Sequence, residues 1–260
     1  MKLAVSNIAW SGERDSDMYS FLTDNGFTGL EIAPTRIFPE SPYDRLDEAA
    51  AFSKHLRDDY GLVLCSMQSV WYGKTGNIFA SEGERKELAA YTRKAILFAR
   101  AAGIGNIVFG CPRNRSILEG CSDAHDIAMS FFDELGSFAA LNGTVIALEA
   151  NPSCYNTNFL NRTSEVIDFV KELGNKGVKV NADLGTCIFY DEPVSLLRDN
   201  IALINHIHIS EPMLVPIKKR GLHRELALLD YDRWFSIEMG NKAEPRELEA
   251  AISYIGEVFN

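Results

Sequence analysis

The sequence predicts a (β/α)8 TIM barrel, with residues 1–260 forming a single domain, and three observations carry that prediction. Eight short apolar runs begin 26 to 44 residues apart, the spacing of a strand, a loop, a helix and a return. Amphipathic stretches of helical period lie between them. Eight such units, closing at about 250 residues, match the length of this barrel class.

The series opens at residues 2–6 (KLAVS). Residues 29–33 (GLEIA) and 62–66 (LVLCS) follow, shortly after Gly26 and Gly61, residues suited to ending a helix. Residues 82–102 place Leu88, Tyr91, Ala95 and Phe98 on one helical face, and Gly103 closes that stretch before the run 106–109 (NIVF). Residues 122–141 repeat the pattern and reach Gly143 ahead of 145–149 (VIALE). The helix expected at 163–173 starts on Thr163-Ser164-Glu165 as cap and first-turn acid, and Gly174 precedes 178–183 (VKVNAD). The last two runs are 204–209 (INHIHI) and 235–239 (FSIEM). No low-complexity tract or Gly/Ser or Pro linker suggests a domain boundary.

Composition narrows the function classes. Lys plus Arg number 26 against 36 Asp plus Glu, a formal net charge of −10. Such a surface repels the phosphate backbone, so no nucleic-acid partner is expected. No run of 18 apolar residues occurs, and the first residues lack the long apolar core of a signal peptide. No membrane partner is therefore expected, and the cytoplasm is the expected location. The five cysteines (Cys65, Cys111, Cys121, Cys154, Cys187) are odd in number and contain no Cys-x-x-Cys pair, so ordinary buried thiols are expected rather than disulfides or a zinc knuckle.

Chemistry in such barrels sits at the C-terminal strand ends. Four consecutive strands here end in metal-ligand types: Glu149, Asp183, His208 and Glu238. Residues two apart on a strand share a face, so Ala147, Asn181, His206 and Ser236 would lie one layer deeper in the same barrel. The intervening Leu148, Ile207 and Ile237 are apolar and suit the strand–helix interface. Taken singly, each strand-end residue is an ordinary cap, loop partner or core histidine. Together, three carboxylates in one barrel mouth need a positive charge that a single histidine cannot supply, whereas a divalent cation can. Three carboxylates plus one imidazole suit Mn2+, Mg2+ or Co2+ ahead of Zn2+. Asn181, His206 and Ser236 are then expected to orient the ligands by hydrogen bonds, with Glu31 in the same supporting shell.

The stretches IALEANP around Glu149, VNADLGT around Asp183, HIHISEP around His208 and WFSIEM around Glu238 resemble the xylose-isomerase-like TIM barrels. Within them the resemblance is to the sugar phosphate isomerase/epimerase group that includes ketose 3-epimerases. Weaker echoes are GLEIAP at Glu31 and VFGCPRNR at Arg113. The resemblance covers essentially the whole chain. It implies that Glu149 and Glu238 bind the metal and flank the substrate as the catalytic pair, one removing a proton beside the ketone and the other returning it. The physical logic is that a cation on the carbonyl and adjacent hydroxyl oxygens stabilises an enediolate while a carboxylate handles the proton. It also implies a small sugar or sugar phosphate as substrate and a homo-oligomer, dimer or tetramer. Two departures bear on substrate: the group's histidine three residues after the strand-six aspartate is Thr186 here, and its glutamate six residues after the strand-five glutamate is Tyr155.

Further residues are expected to bind substrate. Arg113 and Arg115 follow strand four and can grip a phosphate or carboxylate, or form a solvated loop. Asn151, Tyr155 and Thr186 can bond hydroxyls, and His223 can supply another polar contact. Gln68 and Glu31 project inward by alternation. Trp10, Trp71 and Tyr72 end strands one and three and can stack on a sugar or pack locally. Lys218, Lys219 and Arg220 read first as a solvated loop, and Met213–Val215 as an interface or a lid. Three alternatives stay open: a dehydratase of an inositol- or shikimate-like ring, with His223 as its acid; an apurinic-site endonuclease, for which five histidines and the acidic charge are poor credentials; and a barrel that binds a sugar without catalysis.

Overall fold

The computed structural model describes residues 1–241 and 244–259. Its architecture is the predicted barrel. Eight parallel strands close in sequence order: β1 Lys2–Ser6, β2 Gly29–Ile32, β3 Val63–Met67, β4 Ile107–Phe109, β5 Ile146–Glu149, β6 Val178–Asp183, β7 Ile204–Ile209 and β8 Trp234–Ile237. Around and between them run α1 Asp15–Asp24, α2 Pro34–Ile37, α3 Leu46–Tyr60, α4 Glu82–Ala102, α5 Ala124–Leu141, α6 Thr163–Leu173, α7 Leu184–Tyr190, α8 Val194–Asp199, α9 Gly221–Ala227 and α10 Pro245–Phe259.

Local chemistry sets several boundaries. α4 starts where the Ser81 hydroxyl accepts the Glu84 N–H, and it ends at Gly103 in the left-handed conformation. The start of α6 differs from the expected Thr163 cap. The Thr163 and Ser164 N–H groups donate to Glu192, while Glu165 accepts from the Asn161 and Arg162 N–H groups. A carboxylate from the next βα unit thus caps this helix, a partner that local spacing does not reveal. Glu238, expected within the last strand, lies just beyond β8, although its N–H still donates to the Ile209 carbonyl at 3.0 Å.

Alternation decides what faces the barrel axis. Leu148, Ile207 and Ile237 are fully buried in the core between strands and helices. The axis instead receives Ser6, Glu31, Ser66, Asn181, His206, His208 and Ser236, all buried and all polar. Register places Glu149 beside Asn181, and Asp183 beside His208, which faces Ser236 in turn. The ladders slip at Leu30/Glu31 and at Val180/Asn181. Such irregularities re-aim the side chains that follow them, here Glu31 and Asn181. The five cysteines are free thiols but not uniformly buried: Cys65 and Cys187 are enclosed, Cys111 and Cys121 are half-buried and Cys154 is exposed on a loop. Among the described residues no helix is long and apolar enough to cross a membrane.

Candidate active site

A cavity of about 180 Å3 opens at the C-terminal ends of the strands. Glu149 and Asp183 close β5 and β6, and Glu238 follows β8, so all three carboxylates face that cavity. His208, the register partner of Asp183, lies fully buried beneath them. Glu149, Asp183, His208 and Glu238 each offer a ligand atom, and these atoms lie within 4.8 Å of one another. The donor set is hard oxygen plus one imidazole, which fits a divalent cation of the Mn2+, Mg2+ or Co2+ type.

Each member of the quartet is held by specific neighbours. The His208 Nδ1 lies 2.9 Å from Glu149 Oε1 and 3.2 Å from Glu238 Oε2. The opposite ring nitrogen, Nε2, lies 3.0 Å from Glu31 Oε2. The Asn181 amide donates to Glu149 Oε1 at 2.6 Å, and the Gln68 amide donates to Glu238 Oε1 at 2.9 Å. Asp183 doubles as the N-cap of α7: its Oδ1 accepts the Thr186 N–H at 2.6 Å and the Thr186 hydroxyl at 2.8 Å. The Ser210 hydroxyl donates to the other Asp183 oxygen.

These contacts fix the electrostatics. Burial opposes charge on His208, but Glu238, Glu31 and Glu149 outweigh it and hold its pKa well above the usual histidine range. Burial likewise opposes charge on Glu31, yet His208 and His206 hold its carboxyl well below the usual range. Asp183 goes the other way: burial and then the neighbouring Glu149 charge raise its pKa, partly offset by Ser210, His208 and Thr186. Without another positive charge, the rim thus sets three carboxylates against one imidazolium.

The expected supporting residues divide. Asn181 reaches Glu149, and its Nδ2 lies 3.2 Å from His208 Nδ1. His206 sits fully buried with its Nε2 3.2 Å from Glu31 Oε2, one layer below the rim. Ser236 orients no ligand: its buried hydroxyl has no hydrogen-bond partner among the described residues.

Of the residues expected to bind substrate, Gln68, Asn151, Tyr155 and Thr186 line the cavity. The other four do not. Trp10 is buried with its indole N–H on Asp15 and the Arg36 guanidinium over its ring, so it packs the β1–α1 connection. Arg113 is exposed, away from the lining. Arg115 is fully enclosed; its guanidinium donates to the carbonyls of Gly110 and Glu149 and to Asn151 Oδ1, and burial pushes its pKa down to about 10. Two of its three nitrogens are thus spent within the chain, and Nη1 is buried with no hydrogen-bond partner among the described residues. His223 is buried in α9 with Nδ1 3.2 Å from the Tyr254 hydroxyl. The aromatic pair divides too: Trp71 donates its N–H to Thr92 against Phe109, while Tyr72 is 72% exposed.

Several cavity residues escaped the sequence reading, among them Ser69, Val108, Gly110, Gly185 and Glu211. Glu211 is buried yet lines the cavity, its carboxylate gripped by the Arg220 Nε at 2.6 Å and by Nη2. This pairing also takes Arg220 out of the expected solvated loop. Gly110 lines the cavity where a side chain would meet Glu149. The cue for Glu211 was its place three residues after His208; Gly110 gave none.

Comparisons with known proteins agree with this fold. The family model described as xylose isomerase-like TIM barrel matches residues 20–257. No curated protein sequence matches the chain. Among solved structures, a 3-keto-D-glucoside 4-epimerase from E. coli is 18% identical with a TM-score of 0.77, covering 98% of each chain. A D-psicose 3-epimerase from Clostridium cellulolyticum H10 is also 18% identical, with a TM-score of 0.76 over 100% of each chain. A family 2 AP endonuclease from Brucella melitensis is 16% identical, with a TM-score of 0.75 over 99% of each chain. At these identities the likeness is one of fold.

Proposed function

The chain belongs to the xylose isomerase-like TIM barrel family, and from that premise we propose that it is a divalent-cation-dependent isomerase or epimerase of a small sugar or sugar phosphate. The observation that carries the proposal is the convergence of Glu149, Asp183 and Glu238 on one cavity with His208 beneath them, the four offering ligand atoms within 4.8 Å of one another. A cation held there, Mn2+, Mg2+ or Co2+, would supply positive charge to the substrate's carbonyl and hydroxyl oxygens, easing loss of the adjacent carbon's proton.

The chain's own residues account for the rest. Glu149 and Glu238 come from β5 and β8, three strands apart around the barrel, so their carboxylates enter the cavity from different sides. One takes the proton from the carbon beside the carbonyl and the other delivers a proton to the opposite face, inverting that centre. Asn181 and Gln68 fix these carboxylates by one amide hydrogen bond each. Asn151 and Tyr155 line the cavity where the substrate's hydroxyls would lie, while the Thr186 hydroxyl is spent on Asp183 and the Ala150 carbonyl.

The competing readings fare worse on particular residues. His223, the acid that a dehydratase would use, faces Tyr254 and is outside the cavity lining. A nuclease with a histidine-rich metal cluster would need more imidazoles at the rim, but His55 and His125 sit half-exposed on α3 and α5, paired with Asp59 and Glu172.

The test is proton exchange. Mn2+-loaded protein in D2O, given pooled ketoses and ketose phosphates, should place deuterium on a carbon adjacent to a carbonyl. Glu149→Gln and Glu238→Gln should each slow that exchange by about 10²–10⁴-fold. Near-normal exchange in either variant removes that residue from proton transfer. New olefinic signals would replace epimerisation with dehydration.

A further inference from the structure

Beneath the cavity one carboxylate, Glu31, touches two parts of the site. It is fully buried on β2, immediately after the ladder slip at Leu30/Glu31. Its Oε2 lies 3.0 Å from His208 Nε2, and its Oε1 accepts the Gln68 amide at 3.0 Å. The same Gln68 nitrogen lies 2.9 Å from Glu238 Oε1. We propose that Glu31 is a positioning residue that fixes the tautomer and orientation of His208 and, through Gln68, the placement of Glu238. The proposal rests on the metal-site reading above and deepens it.

A neutral imidazole has one N–H and one lone pair, and an ionised carboxylate only accepts. Carboxylates face both ring nitrogens, so the metal-free ring holds a proton on each. A cation would displace the one on Nδ1, and with Glu31 keeping the N–H at Nε2 the lone pair falls on Nδ1. That is the atom 2.9 Å from Glu149 Oε1 and 3.2 Å from Glu238 Oε2, facing the space a cation would take. A carboxylate behind a ligating histidine also raises its basicity and holds its ring plane. The second arm works by the same logic. Gln68 has two amide hydrogens, and Glu31 Oε1 and Glu238 Oε1 can take both, with the Ser6 hydroxyl as a third close neighbour at 2.9 Å. His206 Nε2 lies 3.2 Å from Glu31 Oε2 in the layer below, close to the carboxylate but without hydrogen-bond geometry.

Glu31→Gln isolates this role because it changes neither length nor volume. If the new amide turns its NH2 to the histidines, His208 Nε2 must accept, and an N–H points from Nδ1 at the metal position. If it turns the other way, NH2 meets the Gln68 NH2, and the arm to Glu238 breaks. Either orientation costs one of the two links.

The experiment titrates metal-free wild type, Glu31→Gln and Glu31→Asp with Mn2+, reading the free ion by electron paramagnetic resonance. Thermal melts of the metal-free proteins run in parallel. Glu31→Gln should bind Mn2+ about 10–100-fold more weakly and Glu31→Asp should lose less, with melting temperatures close to wild type. Affinity within twofold of wild type in Glu31→Gln overturns the proposal. Two Mn2+ per wild-type chain falling to one in the variant also overturns it, because Glu31 would then be a ligand. No saturable binding by wild type overturns the metal-site reading and this assignment with it. A measurement on the wild-type chain alone stands if Glu31→Gln fails to fold: in the Mg2+-loaded protein, 15N spectra should place the His208 proton on Nε2, and a proton on Nδ1 refutes the assignment.

Discussion

Gly110→Ala adds one methyl group to the wall of the cavity, and its consequences follow from the distances. The new Cβ would lie 2.8 Å from Glu149 Oε2 and 3.4 Å from the Asn151 amide. Ordinary contact begins near 3.4 Å, so the Glu149 carboxylate must retreat by about 0.6 Å on simple van der Waals grounds. Gly110 does not occupy the left-handed region, so alanine brings no backbone strain there. The displaced atom is the end of a flexible side chain, and the fold should absorb the change at a cost below about 1.5 kcal/mol, a shift in Tm of at most about 5 °C for a chain of this size.

The same retreat is expensive for function. Glu149 Oε1 is fixed by Asn181 at 2.6 Å and lies 2.9 Å from His208 Nδ1, so moving the carboxylate disturbs both. Misplacement of a reacting group by about 1 Å can cost about 10²-fold in rate, so solvent-hydrogen exchange should fall about ten- to a hundredfold. Mn2+ affinity should weaken in parallel. The assay pairs the exchange rate with the melting temperature of each protein. Full exchange in Gly110→Ala refutes the assignment of Glu149 to proton transfer. A loss of exchange no larger than the fraction unfolded refutes the positional argument.

Two further outcomes follow from the structure. Burial, against Glu211 and with Arg220, pushes the His223 pKa down from 6.5 to about 4; the unfolded chain therefore binds this proton at higher pH than the folded one. That contribution is present above pH 6.5 and is lost as pH falls through the folded value, so wild type should lose about 2 kcal/mol more than His223→Gln between pH 7 and 4.5 in urea melts; equal losses would show that His223 is neutral for another reason. Gly177→Ala drives a Cβ to 1.8 Å from the Gly136 carbonyl oxygen, where α5 meets the start of β6. Backbone must move to relieve it, so a loss of about 3 kcal/mol and a Tm lower by about 6–12 °C are expected, and an unchanged Tm would contradict that close approach.

How much of the site the sequence discloses depends on where each residue sits. Glu149 and Asp183 end strands, His208 lies one residue before the end of its own and Glu238 follows one, where side-chain direction follows from a period of two and the barrel fixes which end is the mouth. Glu31 and Gln68 obey the same alternation, and their inward direction was legible too. The loops have no such period. Trp10, Arg115 and His223 all stand near rim segments in sequence, yet none lines the cavity: Asp15 holds Trp10, Tyr254 holds His223, and Arg115 braces the cavity wall from behind through Gly110, Glu149 and Asn151.

By itself the sequence determined the barrel, the mouth and four ligand-type residues around it, because apolar periodicity and strand alternation are local properties that survive into the fold. Only the tertiary structure decided which charges are free to act. Arg115 and Arg220 are identical in kind to surface arginines until the fold buries one against backbone carbonyls and locks the other to Glu211. It also decided that Glu31 serves His208 across 177 positions of chain and that a side chain at Gly110 would press on Glu149. Burial and hydrogen-bond pairing depend on residues brought together by packing, and no local pattern encodes them.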